Sequence, residues 1–280
     1  MEKNLIDKSK SLLSECDSVL IGAGAGLTAA AGINYTDKDA FARYFPAWVK
    51  RGFSMQYQLM GYQNWTQEEQ WGYYRVHLDY VYFQQQRNEL YQSLRALIGD
   101  KDYFVMTSNV DELFHKNDFD RNKIYSPQGS YGRIQCTVPC SQKVWDMRPF
   151  FENMDAHFDP ELQVLNDEAG VPKCPNCGEE MFINARMDHS FIEAPYQEEF
   201  KRISTWLSGQ VDKKVLLLEL GAGYNTPGVI RFPMENLKAN FPNSSFIRIN
   251  YDYAEIPQEL SVNSVAVKGD IKEFISKMAA

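Results

Sequence analysis

The sequence predicts an α/β protein: a doubly wound, parallel, Rossmann-like sheet with a small zinc-ribbon and helical second domain. Two apolar strands run straight into glycine turns, Ser18-Val19-Leu20-Ile21 into Gly22-Ala23-Gly24-Ala25-Gly26 and Val215 to Leu220 into Gly221-Ala222-Gly223. Strand-like and helix-like segments alternate on either side of a middle stretch rich in Pro, Asn and Asp. Four of the five cysteines fall in that stretch as two close pairs.

The elements follow in order. Lys3 to Cys16 carries Leu5, Ile6, Leu12 and Leu13 at helical spacing and predicts a surface helix. The first strand and glycine turn come next, and Leu27 to Ala31 starts a helix closed by Gly32. Phe41 to Trp71, rich in aromatics and Gln, reads as a helical insertion capping a nucleotide cleft, and Gly72 to Ile98 as a long helical stretch with one break. Tyr103 to Thr107 is a second buried strand, and Ile124 to Gly129 a short strand and turn. Between Cys136 and Cys177 no hydrophobic period survives, so a small loop-rich module is expected. Beyond it come a helix over Pro195 to Leu207, a strand over Lys214 to Leu220, a helix over Pro233 to Asn240, and strands over Ser245 to Asn250 and Ser264 to Lys268. The expected division is a nucleotide-binding domain of residues 1–37, 88–132 and 181–280, with 38–87 and 133–180 forming the small domain.

A chain of 280 residues with 44% hydrophobic and 24% charged residues can bury a full core. Its net charge of -8 argues against a broad basic surface for nucleic acid. The opening residues lack the apolar core of a signal peptide and no stretch is long enough to span a bilayer, so a cytoplasmic protein without a membrane partner is expected. In that compartment, cysteine pairs read as a metal site and not as disulfides. Cys136, Cys140, Cys174 and Cys177 offer four soft ligands, suited to a structural zinc with no open position. Cys16 reads as a buried core thiol.

Glycines in the two turns allow a backbone to approach a pyrophosphate, and the helix after the first presents its N-terminal N–H groups. The run G-A-G-A-G-L is not G-x-G-x-x-G, however, and no acidic residue stands at the usual distance for a ribose, which weakens a hydride-transfer reading. A turn packed tightly for steric reasons is the alternative. Thr107-Ser108-Asn109-Val110-Asp111 ends a strand, where doubly wound enzymes place ligands. Its amide and carboxylate can hydrogen-bond ribose hydroxyls and a carboxamide, or they can cap the next helix. His77, His115, His157 and His189 form no pair at metal-ligand spacing, and no Ser-His-Asp arrangement stands out.

Placed in order, these pieces resemble the sirtuin family over nearly the whole chain. Gly22 to Gly26 followed by Ala31-Gly32-Ile33 is similar to the family's G-A-G-x-S…S-G-I, and Thr107 to Asp111 to its T-Q-N-I-D. Gln128-Gly129-Ser130, leading to Cys136, is similar to H-G-S…C; Gly221-Ala222-Gly223 stands where the family has G-T-S; Ile249-Asn250 and Gly269-Asp270 match its I-N and G-D. Asn34-Tyr35-Thr36-Asp37 replaces P-D-F-R, Gly26 replaces a serine, and Gln128 occupies the position of the catalytic histidine. A glutamine amide has no usable basicity near neutral pH, so it cannot deprotonate a ribose hydroxyl during deacylation.

The pattern resembles the macrodomain-linked class M sirtuins. That resemblance implies NAD as a consumed co-substrate, mono-ADP-ribosylation of a protein acceptor (a lipoylated, glycine cleavage H-like carrier) and a macrodomain hydrolase that removes the mark. The catalytic set it implies is Asn109, Asp111 and Gln128. The dinucleotide would meet Gly22, Ala23, Gly24, Ala25, Gly26, Tyr35, Ser108, Asn109, Val110, Asp111, Gln128, Gly221, Ala222, Gly223, Asn250, Tyr251, Asp270 and Ile271. NAD hydrolysis, weak protein deacylation, and non-catalytic sensing of NAD or ADP-ribose are the competing readings.

Overall fold

The computed structural model describes residues 2–280. Among them run eleven strands: β1 (Ser18–Ala23), β2 (Asp102–Thr107), β3 (Ile124–Tyr125), β4 (Gly129–Cys136), β5 (Trp145–Asp146), β6 (Phe158–Asp159), β7 (Val164–Leu165), β8 (Met181–Ala185), β9 (Val215–Leu220), β10 (Ser245–Asn250) and β11 (Ser264–Lys268). The chain divides into two compact units, one of residues 1–32, 87–128 and 195–280, the other of residues 33–86 and 129–194.

The first unit holds a six-stranded sheet in the order β11-β10-β9-β1-β2-β3, with every pairing parallel. A parallel sheet covered on both faces needs apolar side chains on both, so its strands carry continuous apolar runs instead of alternating ones. All six residues of β1 and of β9 are accordingly buried. Leu20, Phe104, Leu217 and Phe246 join Ile203 and Met234 in one core cluster, which brings in helices Gln197–Ser208 and Arg231–Asn240. Helix Lys3–Glu15 packs on Ile271–Ala279, and that helix packs on Glu89–Ile98. The fold class read from the sequence is the observed one. Helix Ile271–Ala279 is an addition to that reading, although Ile271, Phe274, Ile275 and Met278 give it a buried stripe at helical spacing.

The second unit contains the antiparallel sheet β5-β4-β8 and the hairpin β6-β7. Helices Lys38–Tyr44, Pro46–Lys50, Gln56–Met60 and Gln67–Leu78 form the aromatic-rich segment. The last starts on a capping box: Glu69 N–H donates to Thr66 Oγ1 at 3.3 Å, and Thr66 N–H to a Glu69 carboxylate oxygen at 3.0 Å. Trp48, Trp65, Tyr73, Tyr74 and His77 interlock edge-to-face or tilted along it. The stretch expected to be loop-rich also contains helix Arg148–Ala156, opened by Pro149 in its first turn. No helix among the described residues is long and apolar enough to cross a membrane.

Candidate active site and metal centre

Because the sheet is parallel, Ala23, Thr107, Leu220 and Asn250 end at one edge. The chain goes from β1 to β2 on one side, whereas β9 lies on the other, so the winding reverses between β1 and β9. Ligands of open α/β sheets bind outside the carboxyl ends at such a reversal. Both glycine turns stand there. Gly24 N–H donates to Leu220 O and Gly26 N–H to Gly221 O, each at 3.0 Å. A Cβ on Gly26 would stand 2.7 Å from Gly221 Cα, and one on Gly24 2.7 Å from Ala222 Cα. Gly221 itself has φ +67°, in the region that favours glycine. These three glycines make room for each other, which is the steric alternative raised for the first turn. Gly223 differs: a Cβ there would meet nothing within 4 Å. Ala25 is exposed, whereas Gly22 lies inside β1 against Met234.

Asn109 is anchored to the first turn. Its side-chain amide donates to Gly24 O at 3.0 Å and its N–H to Thr107 Oγ1 at 3.0 Å, while Ser108 N–H donates to Ala23 O. Val110 is partly buried beside it. Asp111 is buried, and its two oxygens accept from Thr28 Oγ1 at 2.5 Å and from Leu113 N–H at 2.9 Å. The second bond closes an Asx turn onto the first residue of helix Leu113–Lys116, whose N-cap is Glu112 and carries no side-chain cap bond. Burial pushes the Asp111 carboxyl above its ordinary pKa, with the Thr28 and Leu113 bonds opposing. Tyr91, fully buried and edge-on to Phe114, has its phenol raised well above the ordinary value, first by burial and then by the Asp111 charge.

Asn250 joins the two halves of the edge. Its amide donates to Ala222 O at 2.9 Å, and its side-chain oxygen accepts from Asp252 and Tyr253 N–H at 3.1 Å. Tyr251 is 72% exposed. Asp270 caps helix Ile271–Ala279 by accepting from Glu273 N–H at 2.8 Å, and Ile271 is buried. Gln128, partly buried, ends the middle segment (residues 87–128) of the first unit. Tyr35 belongs to the second unit, where its hydroxyl lies 3.2 Å from that of Tyr131. Thr28, Tyr91 and Arg231 are the site neighbours that the sequence did not single out. For Thr28 the signal was a lone hydroxyl in the small apolar run Leu27 to Ala31.

In the second unit, Cys136, Cys140, Cys174 and Cys177 place their sulfurs within 4.8 Å of one another. The Cys136–Cys177 and Cys140–Cys174 sulfurs are 3.7 Å apart. A tetrahedron with Zn–S bonds of about 2.3 Å has edges of about 3.8 Å, so the cluster fits a four-sulfur zinc site without an open position. The expected zinc content of purified protein is about one per chain by elemental analysis, with Cys174→Ser losing it and lowering the melting temperature. Full retention of metal by Cys174→Ser would contradict the assignment.

No protein-family model matches the chain. It is 37% identical over 277 residues to the probable bifunctional ADP-ribose hydrolase/ADP-ribosyltransferase of Fusarium oxysporum f. sp. cubense, covering 95% of this chain but 46% of that protein. It is 26% identical over 272 residues to the protein ADP-ribosyltransferase of Staphylococcus aureus (strain Mu50 / ATCC 700699), covering 95% of this chain and 84% of that one. The chain thus spans about half the length of the first relative and most of the second. The structure of Sir2Tm bound to a propionylated peptide matches with a TM-score of 0.61 at 14% identity, over 97% of this chain and 96% of that one. A Sir2 homologue mutant in complex with ADP-ribose matches with 0.57 at 17% identity, over 100% and 95%.

The chain has a sirtuin fold.

Its fold matches those Sir2 structures over nearly the whole chain, and both sequence relatives are named as ADP-ribosyltransferases.

Proposed function

We propose that this sirtuin-like chain cleaves NAD and transfers ADP-ribose to a protein acceptor. The observation that carries the reading is the pair Asn109 and Asp111, tied to Gly24 and Thr28 at the sheet's switch point. An ionised carboxylate accepts about four hydrogen bonds, and Thr28 and Leu113 supply two, which leaves Asp111 capacity for a carboxamide N–H. In this reading the pyrophosphate lies along Ala23 to Gly26 and Gly221 to Gly223. Asn250, Tyr251, Asp270 and Ile271 line the adenosine end, and Ser108 completes the set.

Asn109 and Gln128 position the ribose by hydrogen bonds. The bond from the anomeric carbon to nicotinamide nitrogen breaks, its electron pair leaving with neutral nicotinamide. A lone pair of the acceptor forms the new bond to that carbon. An acceptor carboxylate arrives already ionised and needs no general base, which agrees with an inert amide at 128. The names of both relatives support transfer, and the Fusarium name joins a hydrolase of ADP-ribose to a transferase, which supports a hydrolase as functional partner; the macrodomain is our own reading of it. A lipoylated, glycine cleavage H-like protein remains the proposed acceptor, and zinc is structural.

The test is NAD labelled in the adenylate, incubated with the protein alone and with lysate of the native host. A labelled protein band carrying ADP-ribose on Asp or Glu is expected. ADP-ribose found on Lys or Arg would refute the carboxylate acceptor, and rapid free ADP-ribose without lysate would point to hydrolysis. Release of no nicotinamide under either condition would overturn the whole reading. Gln128→His should add protein deacylation that the parent lacks, by a factor of about 10²–10⁴ if the imidazole acts as base, measured on an acylated peptide.

A further inference from the structure

Two arginines and two glutamates lie against the loops that follow β9 and β10. Glu219 and Arg248 are register partners across those strands, and both are fully buried. Arg248 donates Nε to Glu219 Oε1 at 2.6 Å and Nη2 to Oε2 at 2.9 Å, a two-pronged grip. Its third nitrogen reaches Glu255 O at 2.7 Å and Glu235 Oε1 at 2.8 Å. Arg231, 2% exposed, donates Nη1 to Tyr253 O at 2.9 Å and to Ala222 O at 3.4 Å, and Nη2 to Glu255 O at 3.1 Å. Its Nε lies 3.7 Å from Glu235 Oε1, and its plane covers Tyr224 at 4.4 Å.

The charges balance, yet stability does not account for them. Apolar side chains of similar size commonly serve a core as well as or better than a buried ion pair. What apolar groups cannot do is bond to carbonyls. The three carbonyls held here, Ala222, Tyr253 and Glu255, sit outside the strands, on the loops flanking Gly223 and Tyr251. A rigid guanidinium fork fixes several oxygens at set angles, which a flexible ammonium does not. Burial works against the Arg248 charge, but its bonds to Glu219 and Glu235 outweigh that and hold its pKa above the ordinary value. The fork therefore stays charged throughout the working pH range.

We infer that Arg231 and Arg248, braced by Glu219 and Glu235, are positioning residues that lock the loop after β9 to the loop after β10. The lock presets the surface for the adenosine end of the dinucleotide and does not touch the reacting bond; its ligand rests on the function proposed above. Arg231→Lys keeps the charge but loses the fork. It should weaken ADP-ribose binding by calorimetry about tenfold and raise the KM for NAD in step, with kcat within about threefold. Product inhibition by nicotinamide should stay unchanged. Amide hydrogen exchange should speed up in residues 221–225 and 251–256, and not in β1 or β2. Glu235→Gln, at a residue still partly exposed, should move the same readouts in the same direction by less, and it serves if Arg231→Lys does not fold.

Unchanged loop exchange with wild-type ADP-ribose affinity would overturn the inference, as would a fall in kcat at constant KM. A parent protein that binds no ADP-ribose would overturn the functional reading instead, and the exchange measurement would still decide the lock.

Discussion

Asn109→Ala should slow nicotinamide release from NAD by about 10²-fold or more while the protein stays folded, because misplacing a reacting group by about 1 Å costs that much. Asn109 is partly buried, and its side-chain amide donates to Gly24 O. Losing one such bond costs about 1 kcal/mol, which a domain of this size absorbs. The amide nevertheless ties the end of β2 to the first glycine turn, so its removal loosens the ribose position and the turn together. Nicotinamide release under saturating NAD measures the effect, with thermal unfolding as the control for folding. A melting temperature near the parent's together with an unaltered rate would remove Asn109 from the mechanism.

Gly221→Ala should have the largest structural effect of any single substitution considered, with at least about 3 kcal/mol of stability lost and dinucleotide binding abolished. Two costs add. A side chain at φ +67° incurs about 1–2 kcal/mol of backbone strain. Its Cβ would also stand 2.6 Å from Gly26 Cα and Leu27 N, where backbone and not a flexible side chain must give way. The two turns would separate, breaking the Gly26 N–H bond to Gly221 O. Gly223→Ala is the matched control: a Cβ there meets open space, so stability should change by less than about 0.5 kcal/mol. Equal denaturation midpoints for the two variants would show that close approach of the turns is not what the glycines provide.

The main sheet was legible because it is parallel and buried on both faces. Its strands are plain apolar runs; β1 and β9 run directly into a glycine, and β2 into Ser108-Asn109. Strands β4 and β8 were hidden for the opposite reason. They bury polar side chains, and the apolar period vanishes where amides replace methyl groups. Gln135 on β4 accepts from Asn184 Nδ2 at 2.7 Å and from Ile192 N–H at 3.0 Å, so its burial is satisfied by hydrogen bonds that no hydrophobicity pattern records. At the site, Asn109 and Asp111 stood out as polar residues closing an apolar strand. Thr28, Tyr91 and Arg231 did not, because each lies on a helix and reaches the edge only through the packing of that helix on the sheet. The glycines illustrate a different ambiguity. A sequence shows that a side chain is missing but not whether ligand or neighbouring backbone takes its place.

The pairing of Ser18 with Val215 has a consequence for biosynthesis. Ribosomes add about 5–20 residues per second, so the first central strand emerges roughly ten seconds or more before its inner neighbour exists. Throughout that interval a fully buried strand with an apolar run, Val19 to Ala23, lacks its β9 neighbour. Nascent chains stalled before residue 215 are therefore the species most in need of chaperone cover, and slowing translation should raise the insoluble fraction without altering the finished protein.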